Sequence, residues 1–213
     1  MKDKEIFLKP LFIQRLGALL IDILVVSLIA GLISGFFMDV KSIEKLETSL
    51  LEVSEEYLAG EINTNTYFTE YISVGYQIAQ KQGILYLATL FVSVLYFIVY
   101  QFYNDGQTIG KRLFKIRVVS IDDGEMSMNT LIFRAMVANS ILVDMLILLF
   151  ITVGNMNIYF YGAICVEFLE FLVILISGLL VMWSKSGRGL HDYIAKTKVV
   201  RIDGVKENVL CEN

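Results

Sequence analysis

The stretch LGALLIDILVVSLIAGLISGFFM, residues Leu16–Met38, decides the class of fold. Its only charged side chain is that of Asp22. An α-helix rises about 1.5 Å per residue, so a helix of this length crosses the roughly 30 Å of hydrocarbon in a bilayer. The apolar run is too long for a secretory signal peptide, and we therefore expect a retained transmembrane helix.

Three further apolar stretches are long enough to span a membrane: Gly83–Tyr103, Ala135–Gly154 and Ile158–Trp183. The chain is 56% hydrophobic and only 19% charged, and its mean hydropathy is +0.64. This composition excludes an ordinary soluble domain. The sequence predicts an all-α integral membrane protein that lies in the lipid bilayer, with four transmembrane helices arranged as two hairpins.

Lysine and arginine are concentrated in the N-terminal segment, in the segment after the second span and in the tail 184–213. They are Lys2, Lys4, Lys9, Arg15; Lys111, Arg112, Lys115, Arg117; and Lys185, Arg188, Lys196, Lys198, Arg201, Lys206. Short loops rich in these residues stay in the cytoplasm. Segment 39–82 instead holds eight acids and three lysines. We therefore predict cytoplasmic termini, a cytoplasmic tail and an external segment 39–82.

The external segment 39–82 has a regular apolar spacing. Apolar residues recur at intervals of three, four and seven in two series: Ile43, Leu46, Leu50, Tyr57 and then Tyr67, Tyr71, Val74, Ile78. The polar stretch 63–66 separates the two series. This periodicity predicts two amphipathic helices, the second of which runs into the second span.

Two segments that follow the second and fourth spans resemble each other at an offset of 81 residues. GQTIGKRLFKIRVVSID from Gly106 and GRGLHDYIAKTKVVRID from Gly187 are identical at six of seventeen positions. Each half is also entered through a similar motif, FIQR ending at Arg15 and LIFR ending at Arg134. The pattern indicates two parallel repeats, each of which ends in a short β-branched strand. We expect the two strands to form a small cytoplasmic sheet.

Few residues offer enzyme or cofactor chemistry. The chain has one histidine and two cysteines, Cys165 and Cys211, and no serine, histidine and aspartate set or metal-ligand spacing accompanies them. The glycines at Gly106 and Gly110 are one residue too close for a phosphate-binding loop, and Arg112 stands where that loop requires Ser or Thr. We expect no enzymatic activity, no cofactor, no resident metal and no nucleic-acid partner.

The same residues are similar to the RDD family of bacterial membrane proteins, which is named for one arginine and two aspartates. Arg15 and Asp22 in RLGALLID resemble the first two, Asp192 in GLHDYIAKTKVV resembles the third, and GQTIGKRLFKIRVV resembles the family's loop. The resemblance implies a single RDD-type membrane domain over residues 1–213, multi-pass in the bacterial plasma membrane. Cation/proton antiport has been attributed to some members of the family.

Four acids fall within the predicted spans: Asp22, Asp144, Glu167 and Glu170. An ionised side chain at this depth costs about 2.5 to 3.5 kcal/mol on insertion scales. We interpret Asp144, Glu167 and Glu170 as a candidate path for Na⁺, K⁺ or H⁺, with Asp22 and Arg134 as an adjoining pair. The alternative is structural, with the acids hydrogen-bonded by Asn139, Ser177, Thr152 or the backbone.

Arg15 and Asp22 lie seven residues apart, on one face of a helix but too far apart to pair easily. Arg15, His191 and Asp192 form a candidate cytoplasmic gate, in which the histidine either senses pH or acts only as a hydrogen-bonded cap. The leading hypothesis is an ion-coupled transporter, assembled as a homo-oligomer because four helices enclose little space. The alternative is a scaffold that binds a partner protein through the external helices or the basic strands.

Overall fold

A computed structural model of the chain describes residues 8–121 and 126–202. The predicted tail beyond residue 202 lies outside the described residues. The helices are α1 Phe12–Gly35, α2 Val40–Leu58, α3 Thr64–Lys81, α4 Gly83–Val94, a π-helical segment Leu95–Tyr100, α5 Gln101–Tyr103, α6 Ile109–Leu113, α7 Met128–Ala138, α8 Ile141–Thr152, α9 Met156–Trp183 and α10 Leu190–Ile194. The strands are β1 Ile116–Ser120 and β2 Thr197–Arg201.

Three helical segments are long and apolar enough to cross a membrane: Phe12–Gly35, Gly83–Tyr103 and Met156–Trp183. A fourth crossing is formed if α7 and α8 count as one bent span. The second span begins and ends where the sequence predicts. The first begins four residues earlier, because the helix already starts at Phe12. The chain is therefore a mostly helical membrane protein.

The segment predicted as the third span forms two helices, so the prediction of a single helix over 135–154 is wrong. Helices α7 and α8 meet at a bend of 65°. Asn139 still donates its backbone N–H to the carbonyl of Ala135 at 3.0 Å, but its φ of −129° and ψ of 28° are no longer helical, and α7 ends. Ser140 has a φ of +59°, a left-handed conformation that cannot continue a right-handed helix. The two small polar residues thus interrupt the helix within this mainly apolar run.

Segment 39–82 contains two helices, α2 and α3, as the apolar spacing predicts. Asp39 caps α2 by accepting the backbone N–H of Ser42, and Asn63 caps α3 by accepting that of Thr66. The rings of Tyr57 and Tyr67 stack 4.5 Å apart and join the two helices. Their external position remains a prediction.

The described residues pack as two compact units. Of the described residues, the first unit comprises 8–27, 93–121, 126–141 and 172–202, and the second comprises Leu28–Val92 and Leu142–Phe171. In the second unit, Ala79, Ile147 and Ile151 form a buried cluster. In the first unit, Ala18, Ile116, Val118 and Val199 form another.

The two predicted repeats have the same local structure within the first unit. Helices α6 and α10, and strands β1 and β2, are each offset by 81 residues. The backbone is left-handed at Gly106 and Gly187, with φ of +78° and +61°, and at Lys115 and Lys196, with φ of +53° and +50°. Independent segments would not share so unusual a pattern, so the internal repeat is structural.

Strands β1 and β2 pair antiparallel, with Val118 opposite Val199. These two residues also occupy equivalent positions in the two repeats. Arg117 pairs with Val200, the equivalent of Val119, and Val119 pairs with Lys198, the equivalent of Arg117. A local two-fold axis therefore passes through the central pair. The axis fits two parallel repeats, while the cytoplasmic position of the sheet stays a prediction.

Candidate functional site

The Asp22 carboxylate is buried in the first unit, where its side chain is 2% exposed. Oδ1 accepts hydrogen bonds from the Tyr96 hydroxyl at 2.6 Å and from the Gly110 backbone N–H at 2.8 Å. Oδ2 accepts one from the Thr108 hydroxyl at 2.6 Å. Three donors on one carboxylate offset much of the cost of removing it from water. Asp22 thus ties α1 to the π-helical segment and to the start of α6.

The start of α6 is shaped to approach Asp22. Thr108 caps the helix, because its hydroxyl oxygen accepts the backbone N–H of Lys111 at 3.3 Å while the hydroxyl donates to Asp22. A Cβ on Gly110 would lie 2.2 Å from the carbonyl oxygen of Ala18. Only glycine lets the backbone of α6 come this close to α1.

The π-helical segment Leu95–Tyr100 supplies Tyr96. Its hydroxyl donates to Asp22 and accepts the backbone N–H of Ile109 at 2.9 Å. The Tyr96 and Tyr100 rings stack 5.5 Å apart, which fixes the orientation of the hydroxyl. π-Helical turns are rare and are often found at functional sites. Nothing in the periodicity of the apolar run predicts this turn.

Lys111 is the buried base of this group, and sequence reasoning missed it. Its Nζ lies 3.9 Å from Asp22 Oδ2 and donates to Gln101 Oε1 at 3.3 Å and to Thr108 Oγ1 at 3.4 Å. Burial is the main reason that the pKa of Lys111 falls from 10.5 to about 7. The charge of Arg134 lowers this pKa further, whereas Asp22 and Asp192 raise it.

Asp192 lies at the centre of a second buried group, and its side chain is fully inaccessible to solvent. Arg15 Nη1 contacts Oδ2 at 3.1 Å, and Arg134 Nε contacts Oδ1 at 3.2 Å. The backbone N–H of Gly189 and the hydroxyl of Thr197 also donate to this carboxylate, at 3.1 and 3.3 Å. Asp192 therefore joins α1, α7, α10 and β2.

The electrostatics of Asp192 are dominated by two opposing effects. Burial is the largest single influence and raises the pKa of its carboxyl, but the charges of Arg134, His191 and Arg15 together outweigh it. They hold the pKa at about 2. Asp192 is consequently ionised at every physiological pH, and its one negative charge is shared by two guanidinium groups, one from each repeat.

Arg134 donates a hydrogen bond to Asp192 and not to Asp22, so the expected pairing of Arg134 with Asp22 is wrong. The reason is a difference between the repeats. Position 192 is equivalent to position 111, which makes Lys111 the counterpart of Asp192. With a lysine in the first repeat and an aspartate in the second, both arginines converge on the one acid.

His191 serves as a link between α9 and α10. The Ser177 hydroxyl oxygen accepts the backbone N–H of Leu190 at 3.1 Å and lies 3.0 Å from His191 Nδ1. Burial first, and then Arg134, lower the pKa of His191 to about 4. The ring is therefore neutral near pH 7, and this geometry favours the hydrogen-bonded cap over a pH sensor.

The other predicted acids, Asp144, Glu167 and Glu170, lie in the second unit. Glu167 is exposed, and Asp144 and Glu170 are partly buried. Asp144 and Glu170 are close enough to repel each other, and Tyr86 interacts electrostatically with Asp144 and Glu167.

No hydrogen bond or ion pair involves the side chains of these three acids within residues 8–121 and 126–202. Two of the side chains suggested as structural partners make other hydrogen bonds: Thr152 bonds the Leu148 carbonyl at 2.8 Å, and Ser177 bonds α10. Over the same ranges, no three acid, histidine or cysteine side chains are grouped as ligands for one metal ion.

Comparison with known proteins identifies the family of this chain. A search of curated proteins finds no match, and a search of solved structures finds none either. The sequence model of the RDD family matches residues 9–196, which include Arg15, Asp22, Lys111, Arg134 and Asp192. Since the match covers most of the chain, this protein belongs to the RDD family.

Proposed function

We propose that this protein exchanges a monovalent cation for protons across the membrane, and that Asp144, Glu167 and Glu170 carry the exchange. The observation behind the proposal is that α8 and α9 hold three acids whose carboxyl groups make no hydrogen bond or ion pair to any described residue. Carboxylate oxygens are suitable ligands for hard cations and also bind protons. An acid that binds a cation and a proton in turn couples the movement of the cation to that of the proton.

The cost of burying charge supports this role over a structural one. Ionised acids within a span cost about 2.5 to 3.5 kcal/mol each on insertion scales unless they are compensated. The Asp192 group shows how this chain compensates a structural acid, with two arginines and two further donors. Asp144, Glu167 and Glu170 lack such partners in the described chain, so a proton or a cation must supply the compensation.

Glu167 is exposed in the middle of the 28-residue helix α9. In a single copy its carboxyl would face hydrocarbon. A second copy of the chain packed on this face would shield the acid and place two such acids at one level. The exposure of Glu167 therefore supports a homo-oligomer as the transporting form.

Flux measurements test the transport proposal. In proteoliposomes with an imposed pH gradient, addition of Na⁺ or K⁺ should move protons, and both Asp144→Asn and Glu167→Gln should reduce the flux to that of empty liposomes. Glu55→Gln is the matched control, because it removes an acid from the exposed surface of α2 and should leave the flux unchanged.

If no flux is measured, or if neither substitution changes the flux, the transport proposal is wrong and a scaffold is favoured. One observation favours that second candidate. Helices α2 and α3 expose large apolar side chains, with Leu51 65%, Leu58 83% and Phe68 53% accessible. Isolated apolar residues on a surface are ordinary, but three on one helix pair offer a surface to a partner protein.

The orientation of the chain is tested by labelling. In a background without Cys165 and Cys211, Glu55→Cys should react with an impermeant thiol reagent in intact cells, and Arg112→Cys should react only after lysis. Both positions are exposed in the structure, so access to the reagent depends on the side of the membrane alone. The reverse labelling pattern would overturn the predicted topology.

A further inference from the structure

Among the described residues, the ion pairs centred on Asp22 and Asp192 contain one more base than acid. Asp22 and Asp192 are the acids, and Arg15, Arg134 and Lys111 are the bases, with His191 neutral near pH 7. Buried charges are tolerated when they balance. The two guanidinium groups keep their protons, so Lys111 is the base that can restore neutrality by losing one.

The contacts of Lys111 fit a neutral amine. Two acceptors lie within hydrogen-bond distance of Nζ, Gln101 Oε1 at 3.3 Å and Thr108 Oγ1 at 3.4 Å. They match the two N–H groups of an uncharged amine. The Asp22 carboxylate, 3.9 Å away, is too distant for a third hydrogen bond but close enough to stabilise an added charge.

A polar cavity of about 180 Å³ lies beside this pair and shares Thr108 with it. Tyr100, Asn104, Gln107 and Arg112 line it, and Thr108 forms its inner wall. The Thr108 hydroxyl contacts both Asp22 and Lys111. The cavity is large and polar enough to hold several water molecules, so water reaches a side chain that bonds both ionisable groups.

We infer that Lys111, backed by the Asp22 carboxylate, is a site that exchanges protons with water: its side chain is 11% exposed, and Thr108 connects it to the wall of the polar cavity. The Nζ lone pair takes a proton from hydronium and returns it to water, and no other bond changes. The protonated amine adds one positive charge to the buried group, and the neutral amine restores the balance.

Charged groups on several elements face Lys111. Asp22 on α1 and Asp192 on α10 favour the charged amine, and Arg134 on α7 disfavours it. His191 on α10 also interacts electrostatically with Lys111 and is neutral near pH 7. Uncharged Thr108 and Gln101 contact Nζ, Tyr96 contacts the Asp22 carboxylate, and the Phe97 ring lies 5.9 Å from Nζ. The inference does not depend on the transport proposal, because proton binding can be measured in protein that transports nothing.

Nitrogen NMR of the full chain in detergent micelles, labelled with [15N]lysine, tests the inference. The Nζ signal of Lys111, identified by its absence in Lys111→Gln or Lys111→Arg, should titrate with a midpoint near pH 7. Ordinary lysines titrate near pH 10.4. A Lys111 signal that stays charged up to pH 9 would overturn the inference.

The role of Asp22 has its own control. Asp22→Asn removes a charge that favours the ammonium form, so the Lys111 midpoint should fall by about one pH unit or more. Asp105→Asn makes the same chemical change at an exposed residue of the cavity wall and should leave the midpoint in place. Equal midpoints in Asp22→Asn and in the unmodified chain would contradict the pairing.

Stability provides a readout that needs no signal assignment. The unfolded chain keeps the Lys111 proton up to about pH 10.4, whereas the folded chain releases it near pH 7. The unfolded state therefore binds more protons between these values, and the free energy of unfolding should rise with pH across that window. Lys111→Gln should show a smaller rise, and an identical rise would also contradict the inference.

Discussion

Asp192→Asn should lower the free energy of unfolding by about 3–5 kcal/mol, the usual cost of removing one partner from a buried ion pair. The carboxylate contacts Arg15 at 3.1 Å and Arg134 at 3.2 Å. An asparagine of the same size leaves both guanidinium groups buried without a counter-charge. Its amide nitrogen would also face one of the present donors, such as the Gly189 N–H.

The loss is measured by unfolding the purified protein in mixed micelles. Asp105→Asn is the matched control, because Asp105 is exposed and left-handed at a φ of +50°, a conformation that asparagine adopts readily. It should change the free energy of unfolding by no more than about 0.5 kcal/mol. Equal losses in the two variants would show that the Asp192 contacts contribute little.

A double substitution separates the ion network from general disruption. Combining Asp192→Asn with Arg134→Met removes one of the two uncompensated cations, so the double variant should be less destabilised than the sum of the single variants. Strict additivity would contradict the network.

The dependence of stability on acid pH is a separate test of the Asp192 network. The carboxylate contributes to the free energy of unfolding above its ordinary pKa of 3.8, and this contribution disappears as the pH falls to about 2. Asp192→Asn should lack that loss.

The sequence predicts the helical framework well because apolar length and spacing are local properties. The span Gly83–Tyr103 and the helices of segment 39–82 follow from the side-chain pattern alone. The repeat offset also predicts both strands, since Ile116–Ser120 and Thr197–Arg201 stand at equivalent positions. These features depend on neighbours within a few residues and need no knowledge of the tertiary fold.

Lys111 and Arg134 show what the sequence leaves undetermined. The positive-inside rule counts Lys111 as one of several basic loop residues, and nothing in its neighbours indicates that α6 buries it beside Asp22. Repeat symmetry suggests equivalent partners for Arg15 and Arg134, but the residue that would complete the symmetry is Lys111 itself. The assignment of partners therefore depends on the tertiary packing of both repeats.

The broken third span has a similar origin. Hydropathy averages over Asn139 and Ser140, whereas the backbone responds to each residue individually, and Ser140 turns left-handed at a φ of +59°. Length and composition therefore identify the crossing but not its shape. The same holds for the π-helical segment, which changes the position of Tyr96 without changing the apolar pattern.

Gly110→Ala should also be strongly destabilising, by about 3 kcal/mol or more. The added Cβ would lie 2.2 Å from the Ala18 carbonyl oxygen and 2.7 Å from Asp22 Oδ1. The carbonyl belongs to the backbone of α1 and cannot turn away, so α6 must move outward. That movement lengthens the hydrogen bond from the Gly110 N–H to Asp22, now 2.8 Å, and so weakens one of the three hydrogen bonds to a buried carboxylate.

Gly31→Ala is the control, because it adds the same methyl group to α1 where nothing lies within 4 Å. There the substitution should be neutral or should stabilise the helix by up to about 1 kcal/mol. Unfolding in mixed micelles measures both variants. The Lys111 Nζ signal provides a second readout, since a shifted α6 also moves Thr108 and Lys111 relative to Asp22. A Gly110→Ala variant with unchanged stability and an unchanged Lys111 midpoint would mean that α6 does not need this close approach, and the Asp22 site would then have to be held by Tyr96 and Thr108 alone.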